Sequence, residues 1–201
     1  MSVAERPGCR RCGAVLPVAG RGPVPAYCSG ACRTAAYRER RRREALPVEM
    51  TRLRRWVRRE GKRPVRSDNA APASSTNPFT WTTHEAARRS RHGDGLGYVL
   101  DGGDGIVCID LDHALIDGRP VPWAADILAR CPATFTEVSP SGTGLHIWGR
   151  GRVLRGRRIR REDGAHIEVY GRGRYIALGE RYEDSPTTLA DLSELVAYLT
   201  A

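Results

Sequence analysis

The chain has 201 residues, 40% of them hydrophobic, and a formal net charge of +10. That length allows one domain with a substantial core plus a small appendage. No apolar run approaches the ~20 residues of a membrane helix, and the opening Met-Ser-Val-Ala-Glu-Arg-Pro lacks the apolar stretch of a signal peptide, so a cytoplasmic protein without membrane contact is expected. The charge is uneven. Residues 1–66 carry 18 Lys/Arg against 5 Asp/Glu, and residues 67–201 carry 15 against 18. The first stretch suits phosphate neutralisation, and any acidic site must lie in the second. Lys62 is the one lysine; an arginine bias of this kind can follow from GC-rich coding, so charge alone does not specify a polyanion partner.

Four of the six cysteines come early, as Cys9-x2-Cys12 and Cys28-x3-Cys32. Two short pairs across a fifteen-residue loop suit tetrahedral Zn²⁺ held by four thiolates, with Gly13 and Gly30 easing the turns. Few large apolar residues lie between Arg10 and Ala36, so metal would supply the stability. Disulfides and idle thiols are the alternatives, and a reducing cytoplasm disfavours the first. The segment resembles small four-cysteine zinc fingers of the pattern CxxCG…YCSxxCRxxAYRxR, which implies a structural metal. The following Arg33–Leu46 predicts a short basic helix or a solvated charged linker, ended by Pro47. Residues 1–46 therefore read as a zinc finger with a basic helix, and residues 51–201 as the main domain.

In that domain Trp56–Val65 predicts a short strand or hairpin and 67–77 a surface loop. Thr82-Thr-His-Glu85 has the spacing of a capping box, which predicts a helix to about Ser90. Leu96–Leu100 and Ile106–Leu111, joined by Asp101-Gly-Gly-Asp-Gly105, predict a hairpin. Pro122–Arg130 predicts a helix. Phe135–Val138, Leu145–Trp148, His166–Val169 and Tyr175–Leu178 predict strands, with Cys108 in the core and Cys131 lacking a nearby partner. A final helix is predicted with Ser185 as its cap, Pro186 at its first position, and an apolar stripe through Leu189, Leu192, Leu195, Val196 and Leu199. Strands with interspersed helices give an α+β fold.

Side chains alternate across a strand. If Val107, Ile109 and Leu111 face the core, Asp110 and Asp112 share the opposite face about 6.5–7 Å apart. Such a pair repels itself unless cations neutralise it, and carboxylate oxygens suit Mg²⁺ or Mn²⁺. The bland reading is a strand end in which Asp112 caps a loop. Ser139-Pro-Ser-Gly-Thr-Gly144 packs small residues ahead of the next strand, where backbone N–H groups can approach phosphate. If Leu145 and Ile147 are core, His146 lies on the acidic face; a turn followed by a structural histidine is the alternative. Glu168 alternates with Ile167 and Val169 in the same way, as a third metal ligand or a surface glutamate. Arg172 and Arg174 follow it. Arg155, Arg157, Arg158, Arg160 and Arg161 lie between these stretches and read either as a grip on template and primer or as a solvated hairpin.

These motifs resemble the catalytic domain of the archaeo-eukaryotic primase superfamily, in the bifunctional primase-polymerase form of phages and plasmids. The resemblance covers about residues 51–185. It rests on Cys108-Ile-Asp-Leu-Asp-His113, Ser139-Pro-Ser-Gly-Thr-Gly-Leu-His146 and Ile167-Glu-Val-Tyr-Gly-Arg-Gly-Arg-Tyr175, with Trp56-Val57, Lys62, Pro64 and Asn77-Pro-Phe-Thr-Trp81 as upstream landmarks. It implies an RRM-like mixed or antiparallel sheet flanked by helices. It further implies that Asp110, Asp112 and Glu168 bind two Mg²⁺ or Mn²⁺ ions, that His146 contacts the triphosphate, and that Ser141, Gly142, Gly144 and Arg174 help bind the nucleotide. The expected activity is that of a DNA-directed primase/polymerase, metal-dependent templated synthesis of primers or DNA from nucleoside triphosphates during phage or plasmid replication. No G-x-x-x-x-G-K-[ST] occurs, so no ATPase motor is expected; family members often carry a fused helicase, and the resemblance implies a separate replicative helicase as a partner. The rivals are a zinc-finger nucleic-acid-binding protein with an inactive primase-like domain, and a metal-dependent nuclease.

Overall fold

The computed structural model describes residues 7–16 and 22–201. The chain divides into two compact units, Met1–Ala45 and Leu46–Ala201. In the first, the Gly13 N–H donates to the Cys9 carbonyl (2.9 Å) and the Cys9 N–H to the Ala14 carbonyl (2.8 Å), making a tight knuckle around Cys9 and Cys12. Gly13 sits at φ +75°, where a Cβ would be strained. Helix α1 spans Gly30–Arg43. Its cap is Ser29, whose hydroxyl accepts the Cys32 N–H at 3.1 Å. Gly30 therefore opens a helix rather than easing a turn, and the helix begins three residues before the predicted Arg33. Arg40–Arg43 fill its last turn, where cations complement the helix dipole.

The second unit runs α2 (Val48–Thr51), β1 (Trp56–Glu60), β2 (Arg63–Val65), a 3-10 turn at Pro78–Thr80, α3 (His84–Arg89), β3 (Gly95–Asp101) and β4 (Ile106–Asp112). It continues through β5 (Leu115–Ile116), β6 (Arg119–Pro120), α4 (Pro122–Arg130), β7 (Thr136–Val138), β8 (Leu145–Arg150) and β9 (Arg157–Arg160). The closing elements are β10 (His166–Tyr170), β11 (Arg172–Ala177), β12 (Glu180–Arg181) and α5 (Ser193–Thr200). The fold is α+β. Among the described residues the strands form a six-stranded sheet in the order β12-β7-β8-β4-β10-β9, a four-stranded sheet β11-β3-β1-β2, and the small pair β5-β6. Every strand pairing is antiparallel.

The six-stranded sheet is buried on both faces. Val107, Ile109, Leu111, Leu145, Ile147, Ile167 and Val169 pack with Ala124 and Ile127 of α4 and Leu195, Val196 and Leu199 of α5. On the other face Ile106, Cys108 and Trp148 pack with Trp56, Tyr98, Leu100 and Ile176 of the four-stranded sheet. Edge-to-face contacts link Trp56 to Tyr98 (5.2 Å) and Tyr98 to Trp148 (5.7 Å). Along β4 this second face is thus apolar at Ile106 and Cys108 and turns acidic at Asp110 and Asp112.

Three sequence expectations change. The strands β3 and β4 are not a hairpin: β3 pairs with β1 and β11, and β4 with β8 and β10. The Asp101–Gly105 loop carries the chain from one sheet to the other. It is pinned by Arg55, which is ion-paired with Asp101 and, at 3.1 Å, with Asp104. The last helix starts at Ser193, not Pro186. The preceding segment lies along the sheet instead: the Phe135 N–H donates to Thr188 O, the Arg150 N–H to Ala190 O and the Leu192 N–H to Arg150 O. Ser185 is occupied by Thr136, donating its hydroxyl to that backbone carbonyl at 2.9 Å. Finally, α3 is capped by Thr83, whose hydroxyl accepts the Ala86 N–H, one residue beyond the predicted Thr82.

Candidate functional site

Antiparallel register brings the candidate residues into one row across the six-stranded sheet. Glu168 of β10 faces Arg158 of β9 on one side and Asp110 of β4 on the other. Asp110 faces His146 of β8, and His146 faces Glu137 of β7. Arg181 of β12 completes the row opposite Glu137. Directly opposed residues in such a sheet have Cβ atoms about 4.5–5.5 Å apart. Asp112 lies two residues along β4, on the same face, opposite His166. The row opens into a cleft of about 860 Å³ whose lining includes Asp110, Asp112, Ser141, His146, Glu168 and Arg174. The upstream Lys62 and Pro64 also line it, whereas Trp56 and Val57 are core.

Burial drives the electrostatics. Asp110 is largely shielded from water, which pushes its carboxyl up to about 6; His146 opposes the rise, and the charges of Asp112 and Glu168 add to it. His146 is buried, which works against its charged form. The hydrogen bond and charge of Glu137, with Asp110 and Asp112, outweigh that and raise its pKa above the ordinary value. The ring sits with Nδ1 2.9 Å from Glu137 Oε1 and Nε2 3.6 Å from Asp110 Oδ1. Glu168 is held by Arg158 Nε at 2.9 Å, Arg174 Nη2 at 3.2 Å and the Tyr170 hydroxyl, which donates at 2.7 Å. Arg174 also lies over the Tyr170 ring at 4.6 Å.

The Ser139–Gly144 loop is more self-contained than its composition suggests. The Gly142 N–H donates to Ser139 O, the Gly144 N–H to Ser139 Oγ and the Thr143 N–H to Ser141 Oγ. The hydroxyls of Ser139, Ser141 and Thr143 form a chain at 2.9 and 3.1 Å. Gly142 occupies φ +78°, and a Cβ on Gly144 would come within 2.8 Å of Ser139 Oγ and 3.0 Å of Leu111 O. Both glycines therefore shape the turn, while the Ser141 side of the loop faces the cleft.

Among the described residues the one group of three or more metal-type ligand atoms already within 4.8 Å of one another is Cys9, Cys12, Cys28 and Cys32. Sulfur separations of 3.6 Å (Cys12–Cys28), 3.5 Å (Cys28–Cys32) and 3.8 Å (Cys32–Cys12) match the edge of a tetrahedron with 2.3 Å metal–sulfur bonds, about 3.8 Å. Hydrogen bonds with the facing sulfurs of Cys32, Cys12 and Cys9 push the Cys28 thiol up to about 12. The cluster can hold a metal ion. The three carboxylates are adjacent but not gathered to the same degree, because Glu168 is turned towards its two arginines and Tyr170.

Residues 11–191 match the family described as bifunctional DNA primase/polymerase, N-terminal. The chain belongs to this family. A curated relative, the DNA primase-polymerase of Nitratiruptor phage NrS-1, is 36% identical over 146 residues, which are 67% of this chain and 20% of that protein. The chain thus spans about a fifth of the length of the curated relative it matches. The prim-pol match begins at residue 11 and so takes in Cys12, Cys28 and Cys32. No helix among the described residues of this prim-pol chain is long and apolar enough to cross a membrane.

Two participants in the row, Glu137 and Arg181, are not among the residues singled out from sequence; Glu137 is the one beside the histidine. A signal existed. The strands flanking the Ser139–Gly144 loop pair Val138 with Leu145, so counting one further step outward sets Glu137 opposite His146. Arg158, read from sequence only as part of a basic stretch, meets Glu168 through the β9–β10 register, and Tyr170 reaches it from two residues further along the same face of β10.

Proposed function

We propose that the chain is a metal-dependent nucleotidyl transferase that extends DNA on a template. The observation that carries this reading is the row Glu168–Asp110–His146, with Asp112 beside it, opening on one cleft. Asp110, Asp112 and Glu168 are hard oxygen donors suited to Mg²⁺ or Mn²⁺. A carboxyl held up to about 6 by burial beside two other acids has a deficit of positive charge that a divalent cation fits. Asp110, Asp112 and Glu168 would hold such cations, which when bound would supply Lewis-acid activation of a 3′-hydroxyl and neutralisation of charge on a leaving pyrophosphate. To join the other acids Glu168 must leave Arg158 and Arg174, and those arginines then become available to nucleotide or nucleic-acid phosphates. His146 Nε2 and Arg174 orient the triphosphate, with the Ser141 side of the loop beneath it. Arg158 and Arg160 lie on the same face at the sheet edge and are suited to primer or template phosphates.

The four thiolates hold a structural Zn²⁺ in this reading, with residues 1–46 as the finger and 51–201 as the catalytic domain. A helicase partner rests on family resemblance alone. The full chain, given primed template, deoxynucleoside triphosphates and Mn²⁺, should lengthen a labelled primer, and Asp110→Ala, Asp112→Ala or Glu168→Ala should abolish this. Robust extension by Asp110→Ala defeats the assignment. Shortening of the primer without nucleotide dependence points to a nuclease, and binding indifferent to cations and to these substitutions points to a binding module. Primer-free assays with ribo- and deoxynucleotides, with and without residues 1–46, separate initiation from extension.

A further inference from the structure

We infer that Glu137 is the positioning residue of the nucleotide site: its buried carboxylate captures the Nδ1 hydrogen of His146 and so aims Nε2 into the cleft. The inference rests on the triphosphate role proposed for His146 and adds the device that fixes that ring.

Glu137 is fully buried, at 0% exposure, on the short strand β7. Its two oxygens receive three donors. Oε1 lies 2.9 Å from His146 Nδ1 and accepts from Trp148 Nε1 at 3.2 Å, and Oε2 accepts from the Gly179 N–H at 3.2 Å. An ionised carboxylate accepts and cannot donate. The hydrogen between Glu137 and His146 therefore belongs to Nδ1, and Nε2 is the end of the ring left for the cleft. Turning the ring over would set a carbon against Oε1 and leave a buried charge short of a donor, so both orientation and tautomer are fixed.

The arrangement costs desolvation that an apolar residue at position 137 would avoid. An apolar residue there could pack against Trp148, but it could not orient a histidine. The third donor adds a link. Gly179 lies in the turn between β11 and β12, and a Cβ there would stand 1.8 Å from Val138 O, so the turn is seated directly on β7. One carboxylate thus ties the histidine strand to the end of the strand that carries Arg174. The histidine itself is held in the manner by which a carboxylate behind a metal-ligating histidine sets its orientation.

The test uses the full chain and the near-isosteric Glu137→Gln, alone and combined with His146→Ala. Glutamine offers one acceptor where Glu137 offers two, and its amide group confronts donors. KM for the deoxynucleoside triphosphate should rise about tenfold, the loss expected for a charged hydrogen bond, with kcat changed less. In the His146→Ala background Glu137→Gln should add little, because the ring it positions is gone. Equal factors in the two backgrounds would overturn the inference, since a purely structural carboxylate would act independently of the histidine. Nitrogen-15 NMR of the histidine rings reads the claim without catalysis: His146 should carry hydrogen on Nδ1 in the parent protein. A bare Nδ1 overturns the inference even if Glu137→Gln fails to fold. If the parent protein itself does not polymerise while the ring signature holds, the proposed activity fails and the positioning of the ring stands.

Discussion

Removing the charge at the centre of the site should stabilise the protein. In Asp110→Asn the side chain keeps its size and loses its ionisation. The folded carboxyl is held at about 6, above its ordinary 3.8, chiefly by burial. A folded value above the unfolded one means that the native state binds the proton more tightly. The contribution of this group is therefore favourable below about pH 4, falls as pH rises from 4 to 6, and is fully lost by neutrality. At 1.36 kcal/mol per unit the difference is about 3 kcal/mol. The side chain is 17% exposed, so solvent screening takes little from it. The attraction to His146 is already contained in that value, so the Asn variant should gain up to about 3 kcal/mol at pH 7 and nothing near pH 4. In a chain of this size that corresponds to a rise in Tm of about 6–12 °C at most. The assay is thermal unfolding from pH 4 to 7.5 in buffer freed of Mg²⁺ and Mn²⁺ with zinc retained. The gap between variant and parent should open with pH and shrink on adding Mn²⁺, which stabilises only a protein that binds it. An Asn variant that melts below the parent at pH 7 without cations, or a gap that ignores pH, refutes the reasoning.

Arg174→Ala removes a cation that faces both Glu168 and the cleft; KM for the nucleotide should rise about tenfold or more in steady-state extension assays. Cys12→Ser should lower the zinc released to a chromogenic chelator and reduce the helical circular dichroism contributed by α1, because the first turn of that helix carries Cys32. Gly179→Ala drives a Cβ to 1.8 Å from Val138 O and should cost at least about 1–3 kcal/mol in denaturant unfolding. His146, with its pKa raised, stabilises the fold most at pH below its ordinary value, and the benefit fades as pH rises through the folded one. In His146→Ala the slope of stability against pH above neutrality should therefore flatten.

Much of this was legible in the residues because strand parity is rigid. Val107, Ile109 and Leu111 are core and Asp110 and Asp112 are not, as alternation requires, and Glu168 stands in the same way against Ile167 and Val169; His146 lies on the face opposite Leu145 and Ile147, although it too is buried. What alternation cannot supply is the partner of a strand. Leu96–Leu100 and Ile106–Leu111 are nearly continuous apolar runs, buried on both faces, and a glycine-rich turn between them serves a sheet-to-sheet crossover as well as a hairpin. Ser185-Pro186 carries a local helix-start signal, yet backbone hydrogen bonds to Phe135 and Arg150 hold the segment extended. Glu137 escaped notice because a glutamate in a three-residue strand looks like a solvated residue until the strand across from it is known.

Because the row crosses neighbouring strands joined by backbone hydrogen bonds, the site depends on chain length as strictly as on the identity of its side chains. Inserting or deleting one residue within β4, β8 or β10 ahead of its polar member reverses parity and drives a carboxylate or imidazole into the layer beneath α4 and α5. A substitution in the row removes one side chain, whereas a change of one residue's length inside these strands turns a whole strand's polar set away from the cleft. Added length is accommodated only in the connecting loops.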